Sequence, residues 1–599
     1  MKNTQLLSFL FIIFIWQSVL SASNQQTDEA DNEATFTIKD TLESIFADEW
    51  QHRLEIDPIF ASSLDKNIEV TALVDISLES LTKRARFNQL ILERLEKVDY
   101  QQLDNLSQIN YRIFKEQVAD RLSSFNYGAY QIPFNSDSSF YSNFALLTSQ
   151  RPLLTVKDYD NYLSILRTWP AHVEQQISHM RTGLKRGMTQ PKELVVNISS
   201  TITPFIDDEP SNSLFYKPFK KFPKMFSDKE KIRLINEAEK AISSAVIPGY
   251  QTLVDFMNKE YIPGARISLG ASLLPDGENY YKQRLKHFTT LDVTVDDVHQ
   301  IGLNEVFRIK QEMQRLINNL EFEGTFKEFI HFLRTDPQFY AKTADELLKQ
   351  AAWIAKRMDA KLPSLFKHLP RLPYGVEAVP DSIAPTYTTG RYVSAPKGST
   401  LPGYYWVNTY ALDKRPLYVL ESLTLHEAVP GHHLQIALNN ELDNLPLFRQ
   451  YSYISAFGEG WGLYSEWLGI EAGFYQDPYS NFGRLTYEMW RAVRLVVDTG
   501  VHAKGWTRQQ ARDYLSSNTA LSLHNVYTEI DRYITWPGQA LSYKMGEIKI
   551  KQLRQQAESA LADKFDVRDF HEAVLGQGSV PLDVLEEQIK HYIDNAKKQ

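Results

Sequence analysis

The chain has 599 residues, of which 43% are hydrophobic and 23% are charged, so it is long enough to bury a large core. The formal net charge of -9 argues against nucleic acid as a partner and leaves a peptide or another small molecule as the simpler substrate. The sequence contains no cysteine, which excludes disulfide bonds, a thiol nucleophile and cysteine-based zinc sites. Any metal must therefore be bound by histidine and carboxylate.

The N-terminal segment 1–23 has the pattern of a signal peptide. A short basic start is followed by an apolar run over residues 6–16 and by small residues at 18–23. The apolar run is shorter than a membrane span, so we expect cleavage, a periplasmic or secreted location and no stable membrane anchor; an uncleaved anchor is the alternative. Residues 24–35 are polar and acidic, which predicts a disordered lead-in. Residues 36–599 are expected to form one helical domain, either undivided or split into two lobes.

Helical periodicity dominates the rest of the chain. Apolar residues recur at spacings of three and four over residues 228–258, 298–320, 344–362, 417–438 and 580–593. These patterns predict a mostly α-helical fold.

Strand signals are few. The best lies at 403–409, an aromatic and β-branched run bounded by turn residues. The preceding region, 362–403, is rich in proline and glycine, which predicts a loop carrying Tyr387, Arg391 and Tyr392 along a channel.

The most informative stretch is 426–433, H-E-A-V-P-G-H-H. In the common zinc motif, two histidines four residues apart share one face of a helix, and a glutamate beside the first polarises the water. Here Pro430 occupies the position four residues after His426. Proline has no amide to bond the His426 carbonyl and its ring collides with that carbonyl, so we predict a bulge or break in the helix.

The break leaves two alternatives for the second ligand. A bulge that absorbs two residues places His432 beside His426, whereas a three-residue bulge places His433 there. We favour His432, which needs the smaller departure from a helix, and keep His433 as the alternate. Glu427, next to the first ligand, is the predicted general base.

A third ligand is expected, because catalytic zinc commonly has three protein ligands and one open position. Glu459 lies in a segment with helical spacing and is our choice. Glu466 falls on the same face two turns later and is predicted to orient a liganding imidazole. The alternative is that both are ordinary solvated carboxylates. A second His-Glu pair begins at His571, but no histidine follows it, which predicts a surface or capping histidine.

Hydrolysis of a peptide builds negative charge on the carbonyl oxygen, so the site needs a hydrogen-bond donor beside the metal. Tyr543 and His502 are the predicted donors. Four cationic side chains have two equally good explanations, namely binding of a substrate carboxylate and formation of a buried ion pair. They are Arg491, Arg494, Arg532 and Lys544. Among these, Arg532 and Lys544 are our choices for substrate binding.

The motifs together resemble a known family. H-E-x-x-P-G-H-H, then E-G-W-x-L-Y-x-E, then the segments 532–534, 537–544 and 570–578 look like the bacterial DUF885 family over nearly the whole mature chain. That family is similar to the helical gluzincin-type zinc peptidases typified by thimet oligopeptidase, angiotensin-converting enzyme and the Taq-type carboxypeptidases. In those peptidases a glycine precedes the second zinc histidine, which Gly431-His432 matches.

The resemblance implies a mostly helical ellipsoid with a deep channel, and a short edge strand near the metal helix that pairs with the substrate. Asn408, in the predicted strand, is then expected to bind substrate, and a purely structural strand is the alternative. The resulting expectation is an exported zinc peptidase that acts on short peptides. A non-peptide zinc hydrolase and a catalytically silent binding protein that keeps the cleft are the alternatives.

Overall fold

The computed structural model describes residues 28–65, 67–147, 153–381, 383–397 and 401–598. Most of these residues are helical, which confirms the predicted fold class. The predicted signal peptide lies outside the described residues, and so do residues 24–27 of the predicted lead-in, whose other residues overlap the first helix. Within the described ranges, no helix combines the length and the apolar character needed to cross a membrane.

Most helices of the N-terminal half contribute to one of two large hydrophobic cores. Buried residues between 42 and 118, together with those between 306 and 317, join the large core of the C-terminal half, whereas Val70 and buried residues between 134 and 265 build a second core. The helices are α1 (Asp28–Ile56), α2 (Pro58–Leu64), α3 (Leu78–Leu95), α4 (Asn105–Tyr127), α5 (Phe140–Ala145), α6 (Val156–Arg186), α7 (Lys192–Val195), α8 (Ser199–Ile202), α9 (Asp228–Ala241), α10 (Ile247–Phe256), α11 (Ile262–Gly264), α12 (Gly277–Thr289) and α13 (Val295–Asn319).

The C-terminal half carries most of the large core. The helices predicted over 298–320, 344–362 and 580–593 are present as α13, α15 and α26. The helices of this half are α14 (Phe326–Thr335), α15 (Ala344–Asp359), α16 (Leu362–Leu365), α17 (Leu420–Glu427), α18 (His432–Asn440), α19 (Leu447–Gln450), α20 (Ser455–Leu468), α21 (Pro478–Ala503), α22 (Arg508–Asn518), α23 (Leu523–Thr535), α24 (Ser542–Leu561), α25 (Val567–Leu575) and α26 (Leu582–Lys598).

Several helices begin at a capping box. In this motif, a Ser or Thr hydroxyl accepts a hydrogen bond from the backbone amide three residues later, and the side-chain carboxylate or amide of that later residue accepts one from the backbone amide of the Ser or Thr. The residues that open these boxes are Thr155, Ser227, Thr294, Thr325 and Thr507. Local sequence therefore fixes where α6, α9, α13, α14 and α22 start.

The helix predicted over 228–258 is present but widened at two places. π turns span Ile242–Val246 and Met257–Tyr261, and they separate α9, α10 and α11. Pro248 and Pro263 stand shortly after these turns. A proline inside a regular helix lacks a donor and collides with the carbonyl four residues earlier, and a widened turn accommodates both effects.

A three-stranded sheet lies ahead of α17. Its strands are β1 (Tyr374–Ala378), β2 (Gly390–Val393) and β3 (Gly403–Val407), in the order β1-β3-β2, with β1 parallel and β2 antiparallel to β3. The strand predicted at 403–409 is β3, but it is the central strand. The edge strand next to α17 is β2, inside the region predicted to be a loop. β1 and β2 were missed because each is short and flanked by turn residues, so neither shows a clear alternating pattern.

Candidate metal centre and cavity

The helix predicted over 417–438 breaks in the middle, between α17 and α18. Across the break, the Gly431 amide donates to the Leu425 carbonyl at 3.0 Å and the His433 amide donates to the Ala428 carbonyl at 3.1 Å. These bonds span six and five residues instead of four, and the peptide bond before Pro430 is cis. The predicted interruption at Pro430 is therefore present. The hydrogen bond from Gly431 to Leu425 encloses two residues more than a regular helical bond does.

The break brings His432 beside His426, with ring centres 4.7 Å apart. Glu459 Oε2 lies 3.6 Å from His426 Nε2 and 3.5 Å from His432 Nε2, and the three candidate ligand atoms all lie within 4.8 Å of one another. Ligands 2.0–2.2 Å from a tetrahedral zinc are separated by roughly 3.3–3.6 Å. The two imidazole-to-carboxylate separations therefore fit a shared ion and exceed an ordinary hydrogen bond.

Glu466 occupies the predicted position behind the first histidine. His426 Nδ1 bonds Glu466 Oε1 at 2.8 Å, which leaves the Nε2 lone pair for the cluster. Burial by itself would lower the pKa of His426, but hydrogen bonding to Glu459 and Glu466 outweighs it and raises that pKa to about 9. Burial would likewise raise the pKa of Glu459, yet the two imidazoles hold it well below its usual value. The centre is therefore a place where a buried cation is electrostatically favoured.

Glycines on α20 allow the close approaches that form the centre. A Cβ on Gly462 would lie 2.7 Å from the His426 ring, so the ring packs directly on the helix backbone. A Cβ on Gly460 would lie 2.5 Å from the Cα of Gly546, where α20 crosses α24. The alternating glycines around Glu459 were a signal for this packing that the sequence reasoning did not use.

Glu427 lies at the end of α17 and lines the cavity. Its Oε2 accepts a hydrogen bond from the Tyr392 amide at 2.8 Å, which fixes the carboxylate against the edge of β2. On the far side of the break, Trp461 Nε1 donates to the Pro430 carbonyl at 2.8 Å. Both bonds hold the interrupted segment in one position.

A cavity of about 880 Å³ reaches the cluster. Its lining includes the three candidate ligands, β2 residues and Tyr543. The Tyr543 ring centre lies 6.5 Å from that of His426, so this predicted donor is in the site. Arg391 and Tyr392, predicted to line a channel, also border the cavity.

His502 is not brought to the site. Its Nδ1 accepts a hydrogen bond from the Ala271 amide at 3.0 Å, its Nε2 lies 3.0 Å from the Tyr533 carbonyl, and the side chain is buried away from the cavity. Burial lowers its pKa to about 4. The structure thus corrects the predicted donor role, because both ring nitrogens already have protein partners.

Lys544 is likewise structural. Its ammonium is fully buried and forms ion pairs with Glu305 and Glu488 at 2.9 Å and with Glu547 at 2.5 Å. Lys544 does not border the cavity, so the buried-ion-pair alternative holds and the substrate-binding prediction is corrected.

The Asn408 side chain stabilises a loop and does not border the cavity. Its side-chain amide donates to the carbonyls of Ala384, Tyr387 and Thr388 at 2.9–3.1 Å, and the residue is fully buried. These bonds shape the turn that leads into β2. The structural alternative therefore replaces the predicted contact with substrate.

The two other histidines discussed from the sequence, His433 and His571, also have protein partners. His433 Nδ1 is 2.9 Å from the Tyr392 hydroxyl, and burial lowers the pKa of His433 to about 4, so it lies outside the cluster. His571 is buried with Nε2 2.8 Å from the Tyr464 hydroxyl and Nδ1 2.8 Å from the Leu365 carbonyl. The expected surface position of His571 is therefore wrong, whereas its contact with the carbonyl of Leu365, the last residue of α16, agrees with the capping alternative.

Comparison with known proteins identifies the family. The profile of DUF885, a family described as bacterial proteins of unknown function, matches residues 58–589, and the chain therefore belongs to it. A crystal structure from Colwellia psychrerythraea, described as that of a candidate lipoprotein, is similar with a TM-score of 0.86 and 29% identity over 93% of this chain and 99% of that one. A Shewanella oneidensis structure, described as a candidate lipoprotein of unknown function, shares the fold with a TM-score of 0.70 and 19% identity over 92% and 99%. No curated protein matches the chain.

Proposed function

We propose that this member of the DUF885 family is an exported zinc-dependent peptidase that hydrolyses short peptides. The observation that carries the proposal is the convergence of His426, His432 and Glu459 at ligand separations. Glu427 stands next to them at the position of a general base, in a cavity whose volume lies within the range of roughly 300–1,000 Å³ typical of ligand pockets.

Zinc, when bound by these three residues, supplies Lewis-acid chemistry that lowers the pKa of a water molecule and polarises a carbonyl. Glu427 accepts the proton that the attacking water loses and passes it to the leaving amine nitrogen. The Tyr543 hydroxyl donates to the carbonyl oxygen as negative charge develops there. Glu466 keeps His426 in the tautomer whose Nε2 is free to bind metal.

The sheet favours an extended substrate. β2 is an edge strand whose residues Gly390, Arg391 and Tyr392 border the cavity. The Tyr392 amide is bonded to Glu427 instead of to β3, so this edge of the strand faces the candidate metal centre. A peptide backbone can add to such an edge through main-chain hydrogen bonds, and this is the reason to prefer a peptide to another hydrolysable substrate.

Export is supported by the signal-peptide pattern of residues 1–23. The similar proteins from Colwellia and Shewanella are described as candidate lipoproteins, a class that is also exported.

The proposal is tested on the purified mature protein by elemental analysis and by mass spectrometry of a randomised hexapeptide library. We expect about one zinc per chain and cleavage of peptides, both lost in His426→Ala and kept in His368→Ala, an exposed histidine paired with Glu572. Zinc without cleavage of any peptide would favour a non-peptide hydrolase. A wild-type protein that binds no zinc would favour the silent binding protein.

A further inference from the structure

Two arginines share one glutamate in the cavity wall. Glu529 Oε2 accepts from Arg494 Nη2 at 3.0 Å and from Arg532 Nη2 at 3.1 Å, and all three side chains are at most 15% exposed. Arg494 Nε donates to the Tyr533 hydroxyl, and Arg532 Nη1 donates to Gln539. We call Arg494, Arg532 and Glu529 the arginine wall.

The arginine wall carries one uncompensated positive charge. Among the described residues, Glu529 is the only carboxylate within ion-pair distance of either guanidinium. Arg494 Nη1 has no hydrogen-bond partner in the described part of the chain, and neither has Nε of Arg491, one turn earlier on α21. A desolvated guanidinium without a full set of partners is costly, and a cavity lined by such donors is suited to an anion.

The arginine wall lies close to the candidate metal centre. The guanidinium carbon of Arg494 is 4.2 Å from the Tyr543 ring centre, which is 6.5 Å from the His426 ring centre. Even if these two distances lay end to end, Arg494 would be about three extended residues from His426, since a peptide covers at most roughly 3.3–3.6 Å per residue. An anion on Arg494 is therefore only a few peptide residues from the proposed point of cleavage.

We infer that the arginine wall binds the C-terminal carboxylate of the peptide, so that the protein removes one to three residues from C-terminal ends. This inference rests on the proposed function and specifies which end of the peptide substrate is cleaved. One carboxylate neutralises the single excess charge, and a guanidinium fork binds a carboxylate with two parallel hydrogen bonds. In the reaction, water oxygen joins the carbonyl carbon and the C–N bond breaks. The leaving nitrogen takes up the proton that Glu427 carries, so a shortened peptide and a free C-terminal fragment result.

Binding without turnover gives the decisive test. Acetyl-Ala-Ala with a free carboxylate, its C-terminal amide, and acetyl-Glu-Ala amide are titrated calorimetrically into the zinc-loaded Glu427→Gln protein, in which loss of the general base suppresses their hydrolysis. The arginine variants are made in this background. We expect the free acid to bind at least about tenfold more tightly than either amide, because a hydrogen bond to a charged group contributes roughly this much. Arg494→Gln and Arg532→Gln should abolish the preference, whereas Arg494→Lys should keep part of it.

Arg484→Gln is the matched control. Arg484 lies on the same helix, is buried, pairs with Glu488 and does not border the cavity. The preference for the free acid should persist in this variant, and melting curves verify that every variant is folded. Equal binding of the acid and its amide by the Glu427→Gln parent would overturn the inference. Tighter binding of acetyl-Glu-Ala amide than of the free acid would show that the arginine wall binds an acidic side chain instead.

Hydrolysis of the hexapeptide library, made with free and with amidated C-termini, is measured separately. Loss of one to three residues from the free acids alone supports the inference. Equal cleavage of both libraries overturns it and leaves the peptidase proposal intact. If neither library is cleaved, the peptidase proposal fails while calorimetry still decides whether the wall binds a carboxylate, so the two failures are distinguishable.

Discussion

His426 uses its two ring nitrogens for different purposes. Nδ1 is held by Glu466, which also meets Arg491 at 3.3 Å, while Nε2 faces Glu459 and His432. The bond at Nδ1 fixes the ring plane and the tautomer, so the Nε2 atom, the candidate ligand atom, is held in position by the protein alone. His432 has no such support, because its Nδ1 has no partner in the described part of the chain.

The identity of the second ligand is tested by comparing adjacent histidines. His432→Ala should lower zinc affinity by more than roughly 100-fold, because it removes a ligand. His433→Ala should keep zinc, since the His433 ring is bonded to Tyr392 instead. Zinc titration of the two variants measures this, and loss of zinc from His433→Ala alone would reverse the assignment.

Glu427→Gln should retain zinc and fold while losing roughly 10²-fold to 10⁴-fold of the peptidase rate, because an amide cannot accept the proton of water. The amide oxygen can still accept the Tyr392 bond, so the loop geometry is preserved. Rates on the hexapeptide library, normalised to zinc content, give the comparison. A turnover close to that of the wild type would refute the role of Glu427.

Sequence reasoning found the residues of the candidate metal centre but not every neighbour, and the reason is physical. His426, Glu427 and Glu459 lie in two short motifs whose spacing limits their geometry. Both partners of His502, and Glu305 and Glu488 beside Lys544, come from distant segments that no local pattern indicates; only Glu547, three residues after Lys544, is a local partner. A polar residue that is satisfied by remote partners looks the same in sequence as one that awaits a substrate.

At the scale of elements, the crossing of α20 and α24 sets the position of Glu459. Gly460 and Gly546 let the two backbones approach, because neither helix could tolerate a side chain at that point. The break between α17 and α18 was predictable from Pro430 alone. The strands β1 and β2 were not predictable in the same way, because their pairing with β3 depends on tertiary contacts and the sequence of a short strand does not indicate it.

Gly462→Ala tests whether this packing positions the first ligand. The added Cβ would lie 2.7 Å from the His426 ring, which must then shift, so zinc affinity should fall by roughly 10-fold to 100-fold. Ser465→Ala, on the same buried helix, is the control because its hydroxyl has no partner among the described residues. Equal zinc affinity in the two variants would show that the close approach is not needed for the metal site.

At the scale of the whole molecule, the cavity joins residues from opposite ends of the chain. Its lining runs from Ile113 on α4 to Pro581 just before α26, and the candidate ligands come from three different helices. The site therefore exists only when the large core is assembled. A ligand that binds this arrangement and not the unfolded chain must stabilise the fold.

Removal of metal should consequently lower the melting temperature. A free zinc concentration about 1,000 times Kd contributes about 4 kcal/mol to the free energy of unfolding. We expect a chelator to lower Tm by several degrees, and added zinc to restore it. His426→Ala should melt at the same temperature with and without chelator, and a wild type that behaves like this variant would contradict the metal proposal.

The last prediction concerns stability in acid and uses the corrected role of His502. Its pKa is about 4 in the folded protein because of burial, against about 6.5 in an unfolded chain. Between these two pH values the unfolded state binds more protons than the folded state. The free energy of unfolding therefore falls as the pH drops from about 6.5 to 4, by up to about 3 kcal/mol. Above pH 7 the histidine is neutral in both states and this effect is absent. Asp498, whose pKa burial raises to about 7, acts in the opposite direction, so the histidine contribution is read as a difference between proteins.

His502→Gln removes the titrating group, although it also weakens the hydrogen bonds to the Ala271 amide and the Tyr533 carbonyl. The variant should therefore melt below the wild type at pH 8, yet lose less Tm than the wild type between pH 8 and pH 5. Zinc content should not change, because the side chain lies outside the cavity. Melting curves at four pH values test this, and parallel pH profiles for the two proteins would show that His502 is not buried as a neutral imidazole.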